Sequence, residues 1–270
     1  RDLAFVDATA HQGNDFQMSN DFWSELDELC EKFDVDDEFV AIPGYEWSGN
    51  TSLGGDRNVF FPSKGRKIRR SSHALITDYS DLESDCDTAK DLFEAFANDR
   101  EFDVICYAHC GGRYADINFA HDPRFEKSVE VHSSWGTFEW LLEDAFKLGY
   151  RVGIVANSDG HKGRPGASYP GSSSFGVYGG LTCVLARALT REGIWEAIKA
   201  RRCYATSGQR IALNALADGH PMGSEFSTAV SPRIQIVAEG TENIEEICSK
   251  ADIIVAAVGK PKMVKGDWIK

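Results

Sequence analysis

No run in this 270-residue chain approaches the roughly 18–20 consecutive apolar residues of a membrane span. Basic residues are the minority. The 29 Lys and Arg against 42 Asp and Glu leave a formal charge of −13, which disfavours a general nucleic-acid binder. Seven cysteines, an odd number without framework spacing, argue against a disulfide scaffold and for reduced thiols. A cytoplasmic setting is slightly favoured on that ground. No signal-peptide pattern is visible, because the sequence opens Arg1-Asp2 and enters a strand-like run at once. No internal repeat is seen. The length suits one α/β barrel or two smaller domains.

What is present is a series of short apolar runs, each ending on a side chain that can hold a metal ion. Leu3–Thr9 leads to His11, Phe39–Gly44 to Glu46, and Val104–Ala108 to His109. Ser128–Val131 leads to His132, and Val152–Ala156 to Asp159-Gly160-His161. Buried strands that deliver His and carboxylates at their C-terminal ends describe the active face of an α/β barrel.

The intervening segments read as helices. Phe22, Leu26, Leu29 and Phe33 share a helical face, with Asn20 or Asp21 as N-cap. Thr88 to Asn98 and Thr137 to Leu148 show the same spacing, and Thr190 starts a further helix. Strands alternating with helices predict a largely parallel sheet or barrel over residues 1–212. Beyond it, Leu213–Leu216, Gly219–Met222 and Arg233–Ala238 predict a small β-rich appendage over 213–247. The texture changes again over 248–270.

Each candidate ligand has a bland alternative. His109 could be a buried histidine bonded to backbone, and the Asp159-Gly160 pair is an ordinary turn former. Glu130 and His132 point to one face if their strand continues, so either or both are available. His132 is preferred as the one nearer the strand end. Glu46 would be costly to bury unpaired, and a cation is its simplest partner. His11 is followed by the turn-like Gln12-Gly13-Asn14. Mixed His and carboxylate ligands suit zinc, manganese or iron better than calcium. Arg57, Arg113 and Arg164 are candidates for gripping phosphate oxygens, a surface ion pair being the likelier role of Arg57. His73, His121 and His220 receive no role.

The stretches "FVAIPGYEWS", "GGDRNVFF", "YAHCGGR", "VEVHSSWGTFEW", "VGIVANSDGHKGRPG" and "LTREGIWEAIKARRCYATSGQRI" resemble the polymerase-and-histidinol-phosphatase (PHP) superfamily over residues 3 to 247. The resemblance is closest to its uncharacterised PHP-like branch. It implies a distorted α/β barrel with two or three divalent metal ions, and phosphoesterase activity. On that pattern Glu46 bridges two metals, His109 and His132 serve one, Asp159 another, and His11 with His161 a third. Two departures stand out. The first strand with its His-x-His motif has no counterpart, so the barrel looks truncated at its N-terminus, and Ala10 stands where the family usually has Asp. Residues 248–270, "CSKADIIVAAVGKPKMVKGDWIK", resemble instead a fragment of the bifunctional methylenetetrahydrofolate dehydrogenase/cyclohydrolase. A piece that short cannot bury a nucleotide-binding core, and no Gly-rich dinucleotide turn accompanies it.

The expected function is metal-dependent hydrolysis of a small phosphorylated molecule, with neither nucleic acid nor membrane as partner. Water activated by the cations would attack phosphorus, with Glu46, Asp159, Arg113 and Arg164 as the catalytic group. The alternatives are a non-catalytic metal-binding relic and a hydrolase of amides or cyclic esters.

Overall fold

Pro43 sets the first break in the architecture. The run from Phe39 reads as one strand but forms two, β2 (Val40–Ile42) and β3 (Gly44–Trp47). Pro43 has no N–H to give a ladder, and the strands on its two sides join different sheets. A computed structural model describes residues 5–99, 103–166, 168–171, 175 and 177–239. The chain divides into two compact units, 1–208 and 209–270.

In the first unit, β2 pairs in parallel with β1 (Ala8–Ala10). β3 opens a six-stranded sheet with β4 (Arg57–Phe60), β5 (Ile105–Ala108), β6 (Glu126–Ser133), β7 (Gly136–Thr137) and β8 (Gly153–Ala156). β4 runs antiparallel to both β3 and β5, whereas β5, β6 and β8 are mutually parallel. The C-terminal ends of β3, β5, β6 and β8 therefore share one rim with the N-terminal end of β4. A further antiparallel pair joins β9 (Leu181–Val184) to β10 (Cys203–Thr206). The α/β class agrees with the expectation from sequence. The barrel does not follow, because among the described residues the strands lie in separate sheets and none closes on itself.

Helices cover the sheet where the apolar spacing places them. α1 (Asn20–Phe33) starts slightly earlier than its predicted cap, because the Ser19 hydroxyl accepts the Phe22 N–H at 3.2 Å. α2 (Ala89–Asn98) begins with a reciprocal cap: Thr88 Oγ1 accepts from the Asp91 N–H at 3.2 Å, and Asp91 Oδ2 accepts from the Thr88 N–H at 2.9 Å. Thr88→Ala is expected to cost about 1 kcal/mol, read as a lowered urea midpoint with unchanged slope. α3 (Glu139–Lys147) buries Leu141 and Ala145 but leaves Trp140 and Leu148 exposed. α4 (Arg191–Lys199) is capped by Thr190, whose Oγ1 accepts from the Gly193 N–H at 3.0 Å.

Strand alternation sorts the core by parity. Tyr45, Trp47, Val59, Phe61 and Cys106 pack with Trp23 of α1 and with Leu92, Phe93 and Phe96 of α2. Phe60, Ile105 and Tyr107 pack with Val40, Ile42 and the Ile194, Trp195 and Ile198 side chains of α4. Glu46, Asp56, Asn58 and His109 have the parity of this second set, and they lie toward the shared rim.

In the second unit, β11 (Ala212–Ala217) pairs antiparallel with β12 (His220–Pro221) and β13 (Ile234–Glu239). The tail resemblance at 248–270 lies outside the described residues. Among the described residues, no helix is long and apolar enough to cross a membrane.

Candidate metal centre

Backbone register builds the site. Glu46 pairs with Asn58 across β3 and β4. Just past the β4–β5 ladder, the His109 N–H donates to Asp56 O at 3.2 Å. One ligand atom from each of Glu46, Asp56 and His109 lies within 4.8 Å of the others, and all three residues are buried. The turn that delivers Asp56 depends on glycine. Gly55 has φ +73°, and a Cβ there would come within 2.0 Å of Tyr114 O.

Around this trio the polar partners are fixed. Glu46 Oε1 accepts from Asn14 Nδ2 at 2.8 Å and from Ser48 Oγ at 3.0 Å. The Arg113 guanidinium spans two carboxylates, its Nε 2.9 Å from Asp56 Oδ1 and its Nη2 3.3 Å from Glu46 Oε1. His109 Nδ1 donates to the buried Glu130 carboxylate, which also accepts from the Cys110 N–H at 3.0 Å and Asn157 Nδ2 at 2.6 Å. This bond turns Nε2 toward Glu46 and Asp159, the ring orientation a metal-binding histidine requires. Nε2 stands 3.8 Å from both Glu46 Oε2 and Asp159 Oδ2. That separation is too long for a hydrogen bond. It suits donors around an ion held at about 2.0–2.2 Å. Asp159 Oδ2 and Asn58 Oδ1 are buried without a hydrogen-bond partner. A hard-to-borderline donor set with an orphaned carboxylate oxygen fits a divalent cation.

Electrostatics carry the same crowding. Burial, then Glu46, push Asp56 up to about 7 against the pull of His109 and Arg113. Burial raises Asp159 to about 6, and Asp15 beside Ser48 to about 6. Burial alone would lower His109, but the Glu130 carboxylate overrides it and holds the imidazole well above its usual range. Glu130 is lowered despite its own burial, because His109 faces it. The three raised aspartates bind protons more readily folded than unfolded. Their stabilising contribution is complete below about pH 4 and lost as pH rises through about 6 to 7. Chelator-treated protein is therefore expected to melt at higher temperature at pH 5 than at pH 8. Added Mn²⁺ should stabilise most at pH 8, where the carboxylates are ionised, and thermal denaturation curves with and without chelator check both signs.

The sequence-derived residues are distributed unevenly. Glu46, His109, Arg113 and Asp159 come together. His161 is exposed at the edge, its Nδ1 3.7 Å from Asp159 Oδ1 and donating to Asp159 O at 2.9 Å. His132 is turned to other partners, with Nδ1 2.7 Å from Thr137 Oγ1 and Nε2 2.7 Å from Tyr178 O. A register shift between Glu130 and His132 breaks the alternation, so it is Glu130 that reaches His109. His11 is half-buried, accepts the Gly13 N–H at 3.2 Å and meets Phe22 edge-on. Arg164 is exposed. Arg57 is neither a phosphate grip nor a surface pair, being wholly buried against Glu126 at 2.9 Å. Asp56 and Asn14 were not singled out by the sequence. Asp56 belongs to the quoted "GGDRNVFF" stretch, but it precedes a strand instead of ending one.

Three sets of matches accompany this chain and its carboxylate–histidine centre. An uncharacterised protein of Chlamydia pneumoniae is 26% identical over 243 residues, covering 83% of this chain and 37% of that protein. One from Chlamydia trachomatis is 26% identical over 235 residues, covering 78% and 35%. The chain thus spans just over a third of the length of these curated relatives. A family model described as tetrahydrofolate dehydrogenase/cyclohydrolase, NAD(P)-binding domain, matches residues 189–270. Bifunctional protein FolD 2 of Rhizobium etli is 46% identical over 52 residues, 19% of this chain and 17% of that protein. The solved structure of a two-domain protein of Bacteroides vulgatus, containing a predicted PHP-like metal-dependent phosphoesterase, aligns with a TM-score of 0.45. It is 16% identical, covering 74% of this chain and 56% of that one. The folate-enzyme match begins well before residue 248 and takes in α4 and β10, whose Ile194, Trp195, Ile198 and Cys203 belong to the core of the first unit.

Proposed function

We propose that residues 1–208 form a metal-dependent hydrolase acting on a small phosphate ester. The observation that carries the reading is the convergence of Glu46, Asp56 and His109 beside Arg113, with Asp159 Oδ2 3.8 Å from His109 Nε2. The mixed donor set favours zinc, manganese or iron. A divalent cation held there by Glu46, Asp56, His109 and Asp159 would supply Lewis acidity toward water and phosphoryl oxygens. Glu130 holds the His109 ring in the orientation that presents Nε2. Asp159 Oδ2, buried and unpartnered, would join Glu46, Asp56 and His109 in holding the cation. Arg113, half-exposed and already charge-assisted, is placed to donate to an oxyanion. His161 at the edge of the centre and the exposed Arg164 are proposed to contact substrate, while His11 and His132 require rearrangement to ligate.

The test is hydrolysis of a chromogenic phosphomonoester by the full chain with Mn²⁺ or Zn²⁺, against a chelator control. Metal-dependent turnover supports the reading. Turnover confined to amides or cyclic esters moves the substrate class, a protein that takes up metal without turnover is a binding relic, and activity dependent on a nicotinamide cofactor shifts attention to residues 189–270.

A further inference from the structure

Arg113 holds two of the four side chains that would seat the cation. Its Nε and Nη2 bind Asp56 Oδ1 and Glu46 Oε1, one carboxylate from the residue just before β4 and the other from β3. Both carboxylates are buried, and bringing them together without a positive charge would be costly. The guanidinium supplies that charge from a side chain still 36% exposed. It lies over the Phe16 ring, 5.6 Å from its centroid. A divalent ion on the same carboxylates would stand within a few ångströms of a fixed like charge, in surroundings that screen poorly.

Building on the metal-site reading above, we propose that Arg113 is an internal counter-cation: it competes with the divalent ion for Glu46 and Asp56. Loading the site weakens its hold on both carboxylates and frees its N–H donors for the anionic group of the substrate. Arg113 therefore sets how readily the site fills as well as how substrate is gripped. An orienting bracket would do the reverse, because losing a group that merely aims the ligands weakens metal binding.

Calorimetric titration of the chelator-stripped full chain with Mn²⁺ at pH 8 separates the two roles. Arg113→Ala is expected to bind Mn²⁺ at least about tenfold more tightly than the unmutated chain. Arg113→Lys, which keeps the charge and loses the fork, should fall between. Millimolar methylguanidinium should weaken Mn²⁺ binding by the alanine variant toward the unmutated value. Should Arg113→Ala fail to fold, Arg113→Met keeps an unbranched apolar stem over Phe16 and is read in the same way. Unchanged or weaker binding in a folded neutral variant overturns the counter-cation while leaving the metal-site reading intact. Absence of Mn²⁺ uptake by the unmutated and variant chains alike overturns both.

Discussion

Glu46→Gln is expected to lose its bound divalent cation and to reduce metal-dependent turnover by at least about a hundredfold. The bound is conservative. Removing a residue that only supports a metal ligand typically costs 10–100-fold, and Glu46 would itself be a ligand. The substitution keeps side-chain length and the contacts to Asn14 and Ser48 near Oε1. It removes one negative charge facing His109 Nε2. Elemental analysis of the purified variant against the unmutated protein reads the loss directly. Full occupancy in the glutamine variant would remove Glu46 from the ligand set, whatever the activity.

The largest stability effect is expected at Arg57. Its guanidinium meets Glu126 Oε1 at 2.9 Å and donates to the carbonyls of Gly54 at 2.6 Å and Ala120 at 3.0 Å. Neither side chain of the pair is exposed to solvent. Arg57→Ala leaves the buried Glu126 carboxylate without its guanidinium; among the described residues His121 Nδ1 remains, 3.2 Å from Oε2. Breaking one partner out of such a pair costs about 3–5 kcal/mol. Urea denaturation should show that loss, and a change below about 1 kcal/mol would mean water reaches Glu126. Because Arg57 also ties the Gly54–Gly55 turn that precedes Asp56, the variant should lose cation affinity as well.

Much of this was legible in the residues. Glu46 and His109 end apolar runs, and Asp159 follows one closely, so parallel-strand logic places them on a common rim. The helices read from Thr88 and from Thr190 are present, each beginning one residue later with that threonine as its cap. Three features were not legible. β4 runs against its neighbours, so Asp56 reaches the rim from the beginning of a strand, where a rule based on strand ends does not look. The shift in β6 between Glu130 and His132 is set by pairing with β8, which no local pattern announces. Closure into a barrel depends on pairings between distant strands, and Pro43 parts β2 from β3 where the apolar run is unbroken to the eye.

The reversed direction of β4 has one more consequence. Asp56 and the residues of β4 alternate between an acid or amide toward the candidate metal centre and an arginine or valine toward the opposite layer. Sliding this hairpin arm by a single position would swing Asp56 and Asn58 out and bring Arg57 in, replacing anion with cation in the pocket. A mispaired hairpin would therefore put the Arg57 guanidinium where the carboxylate belongs, so one pairing register carries both the core packing and the donor set.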